Sequence, residues 1–546
     1  MWRDKTRIFG LRESKTGVVF LRNDGAVGQA AFVGPRLLFQ LIQSKIIDPL
    51  PLFLVRTHKI VIKREWAVNQ FQMQNGYADV VIGMQYGDEG KARIVDNLAS
   101  GYDVIARFNG GANAGHTIEL NGVKVALKQV PSGIFYPEKI LYIGSGCMVN
   151  LEKLADEVAA LEEINVESVP KIDLSQRLKI SGQVSVIQPH HMLIDAVTGG
   201  EVGTTKNGIG PAYADKAIRM NGSRLANIRI GDLVEDRDYY FKIMAENLEA
   251  AAKIYGIDVS EGKKLLESFK KGFEKIAGHV EIDPLFLQRK VENGAKVLFE
   301  GAQSFMLDVT KGSVPYVTSS NTAAAAAFLG GDLAPKYYRK TIGISKAIMS
   351  RVGHGPFPSE FGGSESEKYC MEAEKDGSPK FGKSVEAKYN IPELIKSDKA
   401  LDVGKAVRIV SGEYGTVTSR PRRVGAFDLV QLAYAVKANG VSELVINKCD
   451  LLNVYALTIN GKIPLVKAYE LDGKKIDFVP ASTKTYYRTS PVIEYHDSFP
   501  DDISSVRDAE KLPKALTELL KEIENFTGCK VTGVGVGPAR DQFVSL

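Results

Sequence analysis

The order of apolar and polar positions along the chain becomes regular at Ala78. From there, ADVVIGMQYGDEGKARIVDNLAS predicts a buried strand, a glycine-rich turn, and a helix with apolar residues at Ile94, Val95 and Leu98. Further strands are predicted at 103–108, 124–130, 139–146, 296–303, 341–347 and 443–450, and helices at 151–163, 236–254 and 262–277. Strands that alternate with helices predict an α/β protein with a large, mostly parallel central sheet.

Residues 1–74 differ from the rest of the chain in pattern and in charge. Their short apolar runs keep no period of 2 or 3.6, and they hold twelve Lys or Arg against five Asp or Glu. We therefore predict a basic N-terminal extension at 1–74, with no assigned fold, and one domain at 75–546. The sequence leaves three interpretations of the extension open: an organellar transit peptide, a disordered segment, or an upstream stretch added by an overlong gene model. A charged stretch from Ser364 to Lys405 has no clear period and predicts a surface insertion.

Composition excludes several classes of protein. The net charge of +5 is small for 546 residues, and the +7 of the extension leaves about −2 for the domain, which argues against nucleic-acid binding. No apolar run approaches the roughly 18 residues of a membrane-spanning helix. Cysteines 147, 370, 449 and 529 form no CxxC pair, so we predict reduced, mostly buried thiols and neither a zinc site nor a disulfide. This cysteine usage favours a cytoplasmic location, or an organellar one if residues 1–74 are a transit peptide.

The segment GMQYGDEGKAR, at 83–93, lies where the first strand meets the first helix. Backbone N–H groups and the positive end of a helix converge at such a turn, so we expect an anion to bind there. The spacing of Gly87 and Gly90 differs from the GxxxxGK[ST] loop, and Ala92 removes the usual hydroxyl ligand of magnesium. Asp88 could take over that role or act as a base. Alone, the segment also fits a glycine turn in which Asp88 caps the helix.

The segment VINKCD, at 445–450, places an NKxD sequence at the end of an apolar strand. Asp450 would accept two hydrogen bonds from guanine, and the stem of Lys448 would lie along the plane of the base. Adenine presents the reverse pattern of donors and acceptors, so the carboxylate selects against it. NKxD also occurs by chance, but together with an upstream phosphate loop it favours the use of GTP.

Other loops combine glycine with polar groups. RFNGGANAGHT, at 107–117, sets Asn113 and His116 among small neighbours that allow a close ligand, and His116 could serve as an acid. Three arginines in TSRPRR, at 418–423, could hold a carboxylate or phosphate, although a solvated loop has the same composition. Residues 203–216 and 315–322 fit either phosphate and sugar sites or surface turns.

In this order, the segments resemble the adenylosuccinate synthetase family from about Ala78 to the C-terminus. The resemblance rests on QYGDEGK, GGANAGHT, PSGI, GTTKNGIGPAYADK, FEGAQ, PYVTSSNT, RVGHGPFPSE, the arginine loop, NKCD and the terminal GVGPARD. It implies a P-loop-like nucleotide-binding architecture with helical subdomains. The implied reaction joins IMP and L-aspartate into adenylosuccinate, the first committed step of AMP synthesis from IMP, with release of GDP and phosphate. It uses GTP and Mg²⁺, passes through 6-phosphoryl-IMP, and is carried out by a homodimer.

The resemblance also implies a role for individual residues. Asp88 matches the base, His116 the acid and Lys91 a group that stabilises phosphoryl charge, while Asp88 and the Gly115 carbonyl face the metal. The positions that match GTP-binding residues are Gly87, Glu89, Gly90, Lys91, His116, Thr117, Lys448, Asp450, Gly535, Gly537 and Pro538. Those that match IMP-binding residues are Asp88, Asn113, Thr204, Thr205, Gln303, Thr318, Val352 and, from across the dimer interface, Arg219. Those that match aspartate-binding residues are Thr418, Arg420 and Arg422.

Some positions depart from the commonest family pattern. Val417 stands where many members have threonine, which removes a hydroxyl from the aspartate loop. The other departures are Ala92 for glycine, Lys128 for histidine, Asn207 for arginine, Ser419 for glycine and Ala426 for tryptophan.

Two alternative functions remain open. A related branch makes 2-aminoadenylosuccinate from dGMP, but its members often lack the catalytic aspartate, and Asp88 argues against that branch. A non-catalytic GTP-binding protein would lack the acid, the base or the aspartate loop, whereas Asp88, His116 and Arg420 are all present.

Overall fold

The computed structural model describes residues 76–113, 115–200, 204–374, 378–415 and 419–546. The interpretations of residues 1–74 and the predictions for Val417 and Thr418 lie outside these described residues. The strands are β1 Tyr77–Gly83, β2 Val104–Arg107, β3 His116–Leu120, β4 Val123–Leu127, β5 Ile140–Ile143, β6 Met148–Val149, β7 Leu178–Ser181, β8 Ser185–Val186, β9 Met220–Asn221, β10 Arg224–Leu225, β11 Val280–Glu281, β12 Lys296–Ser304, β13 Tyr338–Lys346, β14 Met349–Arg351, β15 Arg423–Gly425, β16 Phe427–Asp428, β17 Glu443–Asn447, β18 Lys462–Leu471, β19 Lys474–Ile476, β20 Ser490–Asp497, β21 Lys530–Gly535 and β22 Phe543–Ser545. The α-helices are α1 Lys91–Leu98, α2 Leu151–Glu162, α3 Pro189–Thr198, α4 Ile209–Ile218, α5 Ile230–Glu235, α6 Arg237–Tyr255, α7 Val259–Ile276, α8 Phe286–Glu292, α9 Ala326–Gly330, α10 Gly363–Met371, α11 Lys383–Glu386, α12 Ile391–Leu394, α13 Ala400–Ser411, α14 Leu429–Asn439, α15 Thr483–Tyr486 and α16 Lys514–Thr527.

Ten strands form the central sheet, in the order β11-β7-β5-β2-β12-β1-β13-β17-β21-β22. Every neighbouring pair is parallel except β21 and β22. The predicted α/β class with a mostly parallel sheet is therefore confirmed. Because the strands run the same way, the loops that follow β1, β2, β12, β13, β17 and β21 leave one edge of the sheet, where ligands bind in such folds.

The central strand β1 explains why the apolar run at its start is continuous. Val80 and Ile82 pack into the core on one side of the sheet, and Val81 packs into the core on the other side. Ile94 and Val95 of α1 join the second core, as their spacing predicts. A strand covered on both faces needs apolar residues at consecutive positions rather than at alternate ones.

The strand predicted at 124–130 ends early, at Leu127. The backbone N–H groups of Lys128, Gln129 and Val130 donate to the carboxylate of Glu157, at 2.7, 2.9 and 3.3 Å. The Glu157 side chain thus accepts the hydrogen bonds that a neighbouring strand would otherwise accept. The local sequence pattern does not reveal this contact.

The prediction that 364–405 is a surface insertion is wrong in part, because some residues of this stretch are buried. It folds into α10, α11, α12 and the first part of α13, and it buries Cys370, Glu386 and Ile395. Nε of the buried Arg408 lies 2.9 Å from a Glu386 carboxylate oxygen. The apolar pattern is weak because buried ion pairing replaces part of the usual apolar packing.

The four cysteines are buried and free, as predicted. Across the described ranges, no helix combines the length and the apolar character that crossing a membrane requires.

Candidate functional site

The loop after β1 forms a cradle of backbone N–H groups. Gly87 and Gly90 have φ angles of 102° and 82°, which a side chain would strain. The buried carboxylate of Glu89 accepts hydrogen bonds from the N–H groups of Gln85 and Gly87, at 3.2 and 2.9 Å, and from Lys91 Nζ at 2.7 Å. The Glu89 carboxylate therefore accepts hydrogen bonds from some of the N–H groups of its own loop. Together with Lys91, it stabilises the conformation of the loop.

The predicted base and a predicted aspartate ligand lie side by side. Asp88 has a φ of 57°, and 44% of its side chain is exposed. Its Oδ2 lies 2.7 Å from Nη2 of Arg422. The two residues are 334 positions apart in the sequence, so the fold alone brings the phosphate loop to the arginine loop.

His116 is paired with a buried carboxylate that the sequence prediction missed. Its Nδ1 contacts Glu300, which also accepts from the N–H and Oγ of Ser132 at 2.8 and 2.6 Å. Burial raises the pKa of Glu300, but His116, Arg107 and Ser132 outweigh it and hold this pKa at about 2. Burial lowers the pKa of His116, and Glu300 opposes this shift. Because a carboxylate only accepts, Nδ1 of the ring carries a proton and donates it to Glu300.

The predicted guanine loop is hydrogen-bonded directly to the predicted phosphate loop. Lys448, with a φ of 61°, follows β17, and Nδ2 of Asn447 donates to the Glu89 carbonyl at 2.6 Å. The guanidinium of Arg93 donates to the Asn447 side chain and to the Gly537 carbonyl. Asn447 and Arg93 thus join NKCD, the phosphate loop and the terminal GVGP segment.

Asp450, the predicted guanine acceptor, is half-buried behind this junction. Burial raises its pKa, while Arg93 and Lys448 act in the opposite direction. At Gly535 a Cβ would lie 2.2 Å from Arg93 Nη2, so only glycine fits beside that guanidinium. Gly537 is buried and Pro538 is exposed.

The predicted IMP residues Gln303 and Asn113 both approach Gly110. Gln303 has a φ of 55°, and its buried Oε1 has no hydrogen-bond partner among the described residues. A Cβ on Gly110 would lie 3.0 Å from this oxygen and 3.6 Å from Asn113 Oδ1. The unpartnered acceptor fits a site that a polar ligand completes.

Two other loops carry further predicted IMP residues. Asn109 donates to Ser320 Oγ at 3.2 Å, which holds the loop that contains Thr318. Thr205 Oγ1 accepts from Asn207 Nδ2 at 2.9 Å, and Thr204 Oγ1 accepts from a backbone N–H at 3.4 Å; both threonines are exposed.

Not every predicted residue is brought together. Val352 is 57% exposed at the end of β14, and Gly115 and Thr117 are exposed at β3. Arg420 donates to the Met371 carbonyl at 3.2 Å, at the end of α10. Arg219 is exposed, directly after α4.

His190, His191 and Asp215 have ligand atoms close enough to hold a metal ion. However, the N–H of Gln188 donates to His191 Nδ1 at 3.0 Å, which leaves the proton of the neutral ring on Nε2. That Nε2–H donates to Asp215 at 2.9 Å. The cluster is therefore a hydrogen-bonded support between α3 and α4.

The predicted acid and base and the predicted guanine loop follow strands of one parallel sheet, at the edge where α/β enzymes bind their nucleotides. Residues 80–544 match the sequence model of the adenylosuccinate synthetase family. The chain belongs to this family, and it is a ligase.

Individual relatives agree. Adenylosuccinate synthetase 2 of Cupriavidus pinatubonensis is 43% identical over 470 residues, which cover 86% of this chain and 97% of that protein. Adenylosuccinate synthetase of Streptococcus sanguinis is 35% identical over 472 residues, covering 85% and 96%. The fully ligated adenylosuccinate synthetase of Plasmodium falciparum superposes with a TM-score of 0.72 at 28% identity, covering 86% of this chain and all of that one.

The dGMP branch is more distant. The succinoaminodeoxyadenylate synthetase of cyanophage S-2L, solved with dGMP and dATP, has a TM-score of 0.51 at 19% identity, covering 86% of this chain and 95% of that one. That similarity shows a shared fold and does not extend to the substrate.

Proposed function

We propose that this chain joins IMP to L-aspartate at the expense of GTP, forming adenylosuccinate, GDP and phosphate, with the residues assigned below. One observation supports these assignments most strongly: Arg422 binds Asp88, and Asn447 binds the phosphate loop. These contacts bring three separate segments together, and we assign to them the base, the guanine loop and a carboxylate-binding arginine.

In the first step, Asp88 takes the proton from N1 of IMP, and O6 attacks the γ-phosphorus of GTP. The bond to the β-phosphate oxygen breaks, so that GDP leaves and 6-phosphoryl-IMP forms. Lys91 and the loop N–H groups stabilise the phosphoryl charge. The phosphate charge raises the proton affinity of His116, which lets the ring donate to the transferring group, while Glu300 fixes its orientation.

In the second step, the amine of aspartate attacks C6 and the phosphate leaves with O6. Arg420 and Arg422 bind the carboxylates of aspartate through paired hydrogen bonds, with Thr418 on the same loop. The ion pair of Arg422 with Asp88 holds both side chains in the free protein, and the bound substrates replace it.

The proposal includes Mg²⁺, with the Asp88 carboxylate and the Gly115 carbonyl as ligands. Hard oxygen donors on two exposed residues, completed by phosphate oxygens, suit this ion. When bound, the ion neutralises phosphate charge during transfer.

The proposed reaction makes GTP consumption depend on IMP. Purified protein with Mg²⁺ and GTP should release GDP only when IMP is added, and adenylosuccinate only when aspartate is added as well. GTP binding without any GDP release in the presence of IMP would instead favour the non-catalytic GTP-binding alternative.

Asp450→Asn is expected to raise the KM for GTP by about 100-fold or more, because two charge-assisted hydrogen bonds to guanine are lost. The thermal midpoint should change little, since Asp450 is only partly buried. Steady-state kinetics with GTP and with xanthosine triphosphate check this: the variant should use the xanthine nucleotide better than wild type does. Asp502→Asn, on an exposed carboxylate near Asp450, is the control, and equal GTP kinetics in all three proteins would refute the guanine role.

We also propose a homodimer in which Arg219 reaches the IMP phosphate of the partner. Ile218 and Met220 beside it are 50% and 48% exposed, as interface residues are in a separated subunit. Arg219→Ala should raise the KM for IMP about tenfold or more, because one charge-assisted bond to phosphate is lost.

Mixing Arg219→Ala with Asp88→Asn separates a shared site from a self-contained one. If Arg219 crosses, half of the reassorted dimers carry one intact site, and activity returns to about one quarter of wild type. Arg237→Ala, on another exposed arginine, is the control partner. It should be active by itself, and mixing it with Asp88→Asn should add no activity. No recovery after verified subunit exchange would show that Arg219 does not act across the interface.

We propose a cytoplasmic location, supported by four free thiols. Imaging of the chain with a C-terminal tag tests this, and an organellar signal would favour the transit-peptide interpretation of residues 1–74.

A further inference from the structure

Glu413, just after α13, is a fully buried carboxylate surrounded by cations from three segments. Its Oε1 lies 2.5 Å from Lys448 Nζ and 3.4 Å from Lys346 Nζ. Its Oε2 lies 2.8 Å from Arg422 Nη1 and accepts from Ser350 Oγ at 2.7 Å. Burial raises the pKa of Glu413, but the three cations outweigh burial and hold the pKa well below its usual range.

Two of these cations belong to the proposed binding sites of different substrates. Lys448 is the guanine-loop lysine, and Arg422 is the arginine that also holds Asp88. We propose that Glu413 is a positioning residue that couples the guanine and aspartate subsites, because one carboxylate fixes both side chains. This inference rests on the proposed function of the same site.

The charge balance explains why the carboxylate is needed. Lys346, Lys448 and Arg422 converge on it, and Lys346 is itself completely buried. Without Glu413, the cations would repel one another where Lys346 and Arg422 are largely shielded from water. Lys448 would lose the partner that holds its stem beside the base, and Arg422 would keep only Asp88. The exchange of Asp88 for aspartate would then become less favourable.

Glu413→Gln keeps the volume but removes the charge. We expect the KM values for GTP and aspartate to rise about tenfold or more each, with the KM for IMP within about twofold of wild type. Glu413→Asp, which restores the charge on a shorter stem, should recover part of both losses. Asp79→Asn is the matched control, because Asp79 on β1 is a fully buried carboxylate that pairs with Arg339. This substitution should leave all three KM values unchanged.

A double-variant experiment separates positioning from general loss of structure. In a Lys448→Ala background, Glu413→Gln should raise the KM for GTP little further, because that effect acts through Lys448. It should still raise the KM for aspartate through Arg422. An equal rise in all three KM values, or a full further rise for GTP, would overturn the inference.

Direct binding of a fluorescent GTP analogue provides a measurement that needs no turnover. Glu413→Gln should weaken it about tenfold, and unchanged affinity overturns the inference whatever reaction the chain catalyses. If Glu413→Gln does not fold, the same measurement on Glu413→Asp decides, with a smaller loss expected and wild-type affinity contradicting the inference. Failure of wild type to make adenylosuccinate would instead count against the proposed function.

Discussion

Asp88→Asn is expected to slow adenylosuccinate formation by roughly a thousandfold or more, because the amide cannot take the proton from N1 of IMP. GTP binding should remain, since the N–H cradle belongs to the backbone of the loop. Asparagine also tolerates the positive φ of this position, so the fold should be unchanged. Single-turnover assays with IMP, GTP and aspartate measure the effect.

The chain offers a close control for this substitution. Asp472 is also exposed, has a φ of 51° and pairs with an arginine, Arg488, but it lies in the turn between β18 and β19. Asp472→Asn should retain wild-type rates. A normal rate in Asp88→Asn would remove Asp88 from the role of base.

Glu300→Gln is expected to lower kcat by about 100-fold or more, with a smaller effect on KM values. The amide leaves the His116 ring without a charged acceptor, so the ring loses its fixed orientation and tautomer. The pH dependence of activity should also change, which a loss of folding stability alone would not cause. Glu300 raises the pKa of His116 against burial, so its neutral replacement lowers that pKa further. The limb that requires protonated His116 should therefore move to lower pH, and activity should fall earlier as pH rises.

Asp79→Asn again serves as the control, because it neutralises a buried carboxylate away from His116. It should lower the thermal midpoint without moving the pH profile. A Glu300→Gln variant with the kcat and pH profile of wild type would show that Glu300 has a purely structural role.

The elements that the sequence predicts well are those whose signal is local. The continuous apolar run of β1 and the spacing of Ile94 and Val95 predict the strand, turn and helix that form the phosphate cradle. NKCD is likewise recognisable because a strand end and four consecutive residues define it. Roles that come from family resemblance, such as the base role of Asp88, stay predictions, although the geometry supports them.

The positioning residues could not be predicted, because their partners are far away in the chain. Glu300 meets His116 across 184 positions, and Asn447 meets Glu89 across 358. The FEGAQ motif contains Glu300, but nothing in its neighbours shows that the carboxylate is buried against an imidazole. Glu413 follows a predicted surface stretch and carries a charge, so a surface position is the ordinary expectation for it.

The most direct measurement uses IMP labelled with ¹⁸O at O6, or dGMP in its place, with Mg²⁺, GTP and L-aspartate. Mass spectrometry follows both the nucleotide product and the released phosphate. The account predicts adenylosuccinate from IMP and no product from dGMP, with the label transferred from IMP to phosphate. It also predicts no product when EDTA removes Mg²⁺. Product only from dGMP, unlabelled phosphate from IMP, or no product despite tight GTP binding would contradict it.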